Sequence, residues 1–170
     1  MRLVPRSCAR LCATLALVLC ASASSPLRAE GPLPAFTVVD LTGAEVASAD
    51  LRRDGRWLLI YVTPESTDNA ELFRLFRAPA LAAAVDRLTV IVGPGTSEQA
   101  SALRARYPAL HGARWYVDAD GQAERALQLD ATPFSLSMEG AERKTSVLGV
   151  LPDTTLMQSL LERWVAASAP

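Results

Sequence analysis

Cysteine is missing from most of this chain. The 170-residue sequence has three cysteines, and all of them lie close to the N-terminus, at Cys8, Cys12 and Cys20. Thiol–disulfide exchange needs cysteine sulfur atoms, so residues 30–170 by themselves cannot carry it. We therefore expect neither dithiol oxidoreductase nor thiol peroxidase activity from a form of the protein that lacks the N-terminal segment.

Histidine is almost as scarce. The single histidine, His111, stands beside Gly112 in a predicted loop, without a second imidazole or thiolate to complete a zinc or haem site. Asp118 and Asp120 belong to an Asp-x-Asp-Gly turn, where we expect their side chains to bond the local backbone. A calcium loop starting there would need a glutamate where Leu129 stands. We predict no metal ion and no cofactor.

The N-terminal segment has the order of an export signal. A basic start is followed by a short apolar stretch at 11–23 and then by small residues. A membrane span needs about 20 apolar residues, so this stretch is a poor candidate for one. We predict a signal peptide at 1–29, one domain at 30–170 and a periplasmic location.

Cleavage after Ala23 and cleavage after Ala29 both remain open, and we favour the second. A retained signal anchor is also open, and only that form would attach to a membrane. Lipidation of Cys20 fits badly, because Leu19 rather than a small residue precedes it. Cleavage after Ala29 removes four of the 17 basic residues and leaves 13 against 18 acidic ones, a net charge near −5. Nucleic acid binding needs a basic face, so we expect no nucleic acid partner.

Hydrophobic patterns in the rest of the chain predict alternating strands and helices. Nearly unbroken apolar runs at 57–62 and 88–92 predict strands that are covered on both faces. Each run is followed by a helical pattern, and this alternation favours an α/β layer fold. The remaining predicted elements are a hairpin at 36–39 and 45–46, a strand at 114–117, a short segment at 123–129, a hairpin around Gly140 returning at 145–148, and a helix at 153–167. The apolar stripe predicted to bury that last helix is Leu156, Leu160, Leu161 and Trp164.

The order of these elements, together with scattered Gly, Pro and Asp residues, resembles exported thioredoxin-like proteins of the TlpA/ResA/MauD (redoxin) type. The matching positions are Pro34, Phe36, Asp40, Gly43, Leu51, Gly55, the 117–121 turn, Thr132, Pro133, Gly140 and Gly149. The resemblance covers 34–164. It implies an α/β thioredoxin-like fold with a central mixed β-sheet, flanking helices and an N-terminal β-hairpin.

The chain departs from that family at the redox motif. Family members place Cys-x-x-Cys after the central strand, where the helix N-terminus lowers the pKa of the first thiol. Depending on a one-residue gap, those positions fall here on Thr67 and Ala70 or on Ser66 and Asn69. Peroxiredoxins use a related Pro-x-x-x-Thr-x-x-Cys loop; Pro64 matches its start, but the cysteine is missing. A plainer interpretation is a helix start rich in capping residues.

A second feature of the resemblance is Thr132-Pro133. In the family this proline is cis and lies beside the redox motif, and the backbone of the preceding residue pairs with an extended substrate peptide. One hypothesis is that Thr132, Pro133 and the 63–69 loop form a peptide-binding surface by strand addition. The alternative is that Pro133 only shapes the entry to an edge strand.

Two functions follow from this sequence. The first is an exported, redox-inactive thioredoxin-like protein that binds a protein or peptide partner, as a maturation accessory factor in the periplasm. The second is a periplasmic enzyme that uses a non-thiol group, Ser66 or Thr67, in the same groove. A hydroxyl needs an adjacent base to become a nucleophile, and the neighbouring sequence supplies no obvious one.

Overall fold

The computed structural model describes residues 31–167. The predicted signal peptide at 1–29 and its cleavage sites lie outside the described residues. Within 31–167, no helix is long and apolar enough to cross a membrane.

One mixed eight-stranded sheet organises the described chain. Its strands are β1 Gly31–Pro32, β2 Thr37–Asp40, β3 Glu45–Ala47, β4 Arg56–Val62, β5 Leu88–Val92, β6 Arg114–Val117, β7 Phe134–Glu139 and β8 Glu142–Leu148, in the spatial order β1-β8-β7-β4-β5-β6-β2-β3. The β4–β5 and β5–β6 pairs are parallel, and the other pairs are antiparallel. The predicted mixed sheet and N-terminal hairpin, β2–β3, are confirmed.

Within residues 31–167, five α-helices flank this sheet. They are α1 Asp68–Leu75, α2 Pro79–Ala83, α3 Ser97–Arg106, α4 Gln122–Leu127 and α5 Thr154–Ala166. Short 3₁₀ turns occupy Ser48–Leu51, Val85–Arg87 and Pro108–Leu110. The helical pattern predicted after the central strand is divided in two, because Pro79 begins α2 and proline is tolerated in a first turn but not in a helix interior.

Strand β4 supplies the centre of both hydrophobic layers. Its residues are almost completely buried, and alternate side chains face opposite sides of the sheet. Leu58 and Ile60 pack in the cluster that contains the buried faces of α1, α2, α3 and α5. Trp57 and Leu59 pack in the second cluster, together with α4. This two-sided burial explains the unbroken apolar run in the sequence.

The predicted buried stripe of α5 is wrong in part. Leu161 is buried as expected, but Leu156 and Leu160 remain 48% and 41% exposed. The buried positions are Met157, Leu161 and Val165, which recur every four residues and form one side of the helix. Both leucines stand next to buried positions in the sequence, so hydrophobicity alone did not show which side of the helix faces the sheet.

Candidate functional site

Two loops meet at the carboxyl end of β4. The 63–67 loop leaves this end and leads into α1, while the Thr132-Pro133 turn leads into β7. Because β7 runs antiparallel to β4, with Phe134 opposite Tyr61, the start of β7 lies at the same edge of the sheet. The hydroxyl oxygens of Thr63 and Thr132 are 3.0 Å apart and share a hydrogen bond.

The four positions that correspond to the redox cysteines differ in burial. Thr67 and Ala70 are exposed, Ser66 is half-buried and Asn69 is buried. The Asn69 side-chain amide donates to the Thr63 carbonyl oxygen at 2.7 Å. Its own carbonyl oxygen has no hydrogen-bond partner among the described residues. The Ser66/Asn69 pair therefore lies closer to the inside of the loop than the Thr67/Ala70 pair.

The capping interpretation of this loop is not supported at α1. Thr67 precedes the helix, but its side chain makes no capping hydrogen bond to the helix. Its backbone is itself helical, with φ −67° and ψ −28°, whereas a capping residue normally has an extended backbone. A capping residue is present at the start of α5, where the Asp153 side chain accepts a hydrogen bond from the Leu156 amide.

The Thr132-Pro133 turn leaves backbone groups unpaired. Its peptide bond is cis. The Pro133 carbonyl accepts from the Gly149 amide at 2.7 Å, and this bond joins the turn to the end of β8. Within residues 31–167, neither the amide nor the carbonyl of Thr132 has a backbone partner. Unpaired backbone groups beside a strand are the feature that strand addition uses.

Within residues 31–167, neither candidate hydroxyl has a base at close hydrogen-bond distance. The Thr67 hydroxyl lies 3.5 Å from an Asp68 carboxylate oxygen, at an exposed position, whereas a nucleophile–base pair lies within about 2.6 to 3.2 Å. Among the residues that the structure describes, no group of three or more His, Cys, Asp or Glu side chains could hold a metal ion. His111 is exposed.

Sequence reasoning missed one buried polar contact near this site. The Tyr61 hydroxyl donates to a carboxylate oxygen of Asp118 at 2.9 Å, and Asp118 is completely buried. The same carboxylate accepts from the amides of Ala123 and Glu124, at 3.1 and 3.0 Å. Burial, followed by the nearby Asp118 charge, raises the pKa of Tyr61 well above its ordinary value. The local backbone bonds of Asp118 were predicted; the tyrosine partner was not.

Comparison with solved structures identifies the fold. No family model and no curated protein matches the sequence. A putative thiol:disulfide interchange protein DsbE from Chlorobium tepidum matches with a TM-score of 0.65 and 16% identity, over 82% of this chain and 96% of that one. Peroxiredoxin 5 from Alvinella pompejana matches with a TM-score of 0.65 and 14% identity, over 84% and 99%.

A third similar structure is a secreted Mycobacterium tuberculosis disulfide oxidoreductase homologous to E. coli DsbE. Its TM-score is 0.60 and its identity 24%, over 78% of this chain and 95% of that one. At these identities the likeness establishes the fold and not the activity. The arrangement of strands and helices described above is therefore thioredoxin-like, as the sequence resemblance implied.

Proposed function

Starting from a thioredoxin-like fold whose motif positions carry no sulfur, we propose that this chain is an exported, redox-inactive protein that binds a protein or peptide partner in the periplasm. The bound segment would be extended and would lie along Thr132 and Pro133, beside the 63–69 loop. A maturation accessory role would suit such a protein, because it holds its partner without changing it covalently.

The contact between Thr63 and Thr132 carries this proposal. The 3.0 Å hydroxyl pair holds the degenerate motif loop against the turn that precedes β7. The unpaired amide and carbonyl of Thr132, described above, would supply one donor and one acceptor to an extended peptide. These backbone groups are those that strand addition would use, although nothing in 31–167 can perform dithiol exchange.

Redox inactivity is supported by the residues at the motif positions. Ser66, Thr67, Asn69 and Ala70 have no thiol, and the sequence has no cysteine after Cys20. Export is supported by the signal-like order of the first 29 residues, and one structural relative is itself described as secreted. The alternative, an enzyme using Ser66 or Thr67, is not favoured by any contact in the groove.

A binding comparison tests the groove. The full chain is exported with its own leader and recovered from the periplasmic fraction, and intact mass shows whether the leader has been removed. We expect Pro133→Ala to lose partner capture while retaining its circular dichroism spectrum, because proline fixes the backbone beside Thr132. Pro152→Ala, at an exposed position outside the groove, is the matched control. Equal capture by folded Pro133→Ala and wild type would contradict the proposal.

A disulfide-reduction assay tests the redox claim separately. The recovered protein should not accelerate insulin reduction by dithiothreitol above the uncatalysed rate. Turnover by a form whose mass shows that the leader has gone would contradict redox inactivity. An enzymatic activity of the wild-type protein that is lost in Ser66→Ala or Thr67→Ala would instead support the alternative, an enzyme that uses a non-thiol group.

A further inference from the structure

A second cleft lies on the outer side of α1, between that helix and the corner that follows α3. It has a volume of about 270 Å³ and is lined by Phe73, Tyr107, Pro108, Arg74, Arg77 and Arg106, together with Ala70 and Ala109. The lining therefore combines three arginines with an aromatic floor, Phe73 and Tyr107. This cleft includes neither the 63–67 loop nor Thr132, so it is separate from the strand-addition groove.

Two of these guanidinium groups have no partner among the residues that the structure describes. Within residues 31–167, neither Arg77 nor Arg106 forms a side-chain hydrogen bond or ion pair. Arg74 meets Glu71 at 3.7 Å, and both side chains are largely exposed. Exposed ion pairs contribute little, so a carboxylate from a ligand can replace Glu71 at small cost. The cleft thus presents one weakly engaged and two free cations.

The two aromatic residues of the floor pack against each other and against the core. Phe73 and Tyr107 pack edge to face, with ring centroids 4.8 Å apart and planes at 70°. Phe73 also packs edge to face against Trp115, at 6.1 Å. These contacts hold the end of α1 against the end of α3 before any ligand arrives. A preformed surface loses little conformational entropy on binding, and an apolar floor strengthens charge pairs beside it.

Stabilisation of helix ends explains only two of the three arginines in this cleft. Arg74 and Arg106 lie in the last turns of α1 and α3, where a cation interacts favourably with the helix dipole. Arg77 lies beyond the last residue of α1 and gains less from that dipole, which falls off within a turn. Helix stabilisation therefore does not account for the third arginine or for its position beside Tyr107 and Pro108.

We propose that this cleft binds an acidic peptide segment of a partner protein, with carboxylates on Arg77 and Arg106 and an apolar side chain on the aromatic floor. Arginine holds carboxylates through paired hydrogen bonds. The cleft, at about 270 Å³, lies at the lower end of the range of ligand pockets, about 300 to 1,000 Å³, and has room for one or two side chains. The predicted net charge of the mature chain is negative, so an acidic segment would be repelled elsewhere and directed to this positive site.

Fluorescence anisotropy with synthetic peptides tests the proposal. The probes are a fluorescein-labelled Glu-Asp-Phe-Glu-Glu peptide and its neutral Gln-Asn-Phe-Gln-Gln analogue, added to the full chain recovered from the periplasmic fraction. We expect the acidic probe to bind at least about tenfold more tightly than the neutral one, as two charge-assisted contacts would allow. The preference should weaken with salt.

Matched variants locate the site. The double variant Arg77→Gln, Arg106→Gln should weaken binding of the acidic probe by about tenfold or more. Arg52→Gln, which removes another exposed arginine outside this cleft, should leave it unchanged. Should the double variant fold poorly, Arg77→Gln alone, just beyond the end of α1, replaces it and should show the same direction. Pro133→Ala should bind the acidic probe normally, so failure of the strand-addition groove is distinguishable from failure here.

Three outcomes would overturn the proposal. The first is no binding of the acidic probe at low salt. The second is undiminished binding by the folded arginine variants, with only their melting temperature lowered, which would leave the helix dipole as the role of the cluster. The third is displacement of the probe by inorganic phosphate or citrate as effectively as by unlabelled peptide, which would make the occupant a small anion.

Discussion

Tyr61 and Asp118 are hydrogen-bonded across a strand that separates them in the sheet. Tyr61 lies at the end of β4 and Asp118 directly after β6, and β5 runs between these strands. After β5 the chain runs close to both residues at Gly93. The same Asp118 carboxylate holds the first amides of α4. One buried carboxylate therefore joins two strand ends and a helix start near the edge where the candidate binding loops meet.

Removing the tyrosine hydroxyl should destabilise the fold. We expect Tyr61→Phe to lower the free energy of unfolding by about 1.5 to 3 kcal/mol, the range for a hydrogen bond to a charged acceptor. The hydroxyl of Tyr107 has no partner among the described residues, so Tyr107→Phe is a matched control that should change little. Urea unfolding measures both, and equal stabilities would show that the Tyr61 bond contributes nothing.

The same contact predicts sensitivity to alkaline pH. The pKa of Tyr61 is raised in the folded state by burial and then by the Asp118 charge, while an unfolded tyrosine ionises near pH 10. Above that pH the unfolded state binds fewer protons than the native state, so stability falls as pH rises. Below it this contribution is fully present. Unfolding curves should be measured from pH 8 to pH 11, which is about one unit above the pKa of an unfolded tyrosine. Over this range the free energy of unfolding should fall less steeply for Tyr61→Phe than for the wild type.

Gly93 is required by the close approach of the strand ends. A Cβ atom at this position would lie 2.5 Å from the Tyr61 hydroxyl oxygen and 2.6 Å from the Asp118 Cβ. We expect Gly93→Ala to cost about 1 to 3 kcal/mol or more, as overpacking does. At Gly95 the nearest atoms would be 3.1 and 3.3 Å away, on the side chains of Gln99 and Pro64. Gly95→Ala should cost less than Gly93→Ala, because the atoms that its Cβ would meet belong to side chains that can shift. A thermal melt in which both variants match wild type would refute this account.

The two faces of α5 give a direct test of its orientation. Leu161 is 4% exposed and Leu160 is 41% exposed. Truncation of a buried leucine leaves a cavity, so we expect Leu161→Ala to cost about 2 to 5 kcal/mol. Leu160→Ala should cost under about 1 kcal/mol, since little of its contact with the protein is lost. Chemical denaturation measures both losses. A larger loss for Leu160→Ala than for Leu161→Ala would contradict the orientation of α5 described above.

Cysteine pairs introduced at the motif positions test whether missing thiols alone explain the expected lack of disulfide-reducing activity. Because Asn69 is buried and Ser66 is half-buried, we expect Ser66→Cys with Asn69→Cys to form a disulfide and reduce insulin. The pair Thr67→Cys with Ala70→Cys lies on the exposed side and should be less active. The first variant should also lose about 1 kcal/mol of stability with the Asn69–Thr63 bond. If both double-cysteine variants form their disulfide but neither reduces insulin, the scaffold lacks more than the cysteine pair.

Local sequence patterns were sufficient for most of the strands and helices. The apolar runs at 57–62 and 88–92 became the buried strands β4 and β5, since continuous hydrophobicity is stable only where both faces are covered. The Asp118 turn and the Asp153 cap were also predictable, because a short polar side chain bonds amides within a few residues of itself. These signals depend on spacing along the chain and not on the tertiary fold.

The sequence by itself determined that no thiol follows Cys20 and that strands and helices alternate. Only the tertiary structure decided which side of α5 is buried, that Thr63 meets Thr132, that Tyr61 reaches Asp118, and that Arg77 and Arg106 border one cleft. Each of these contacts joins residues that are distant in sequence, and its geometry depends on strand order and helix rotation. Composition and local periodicity contain no information about either.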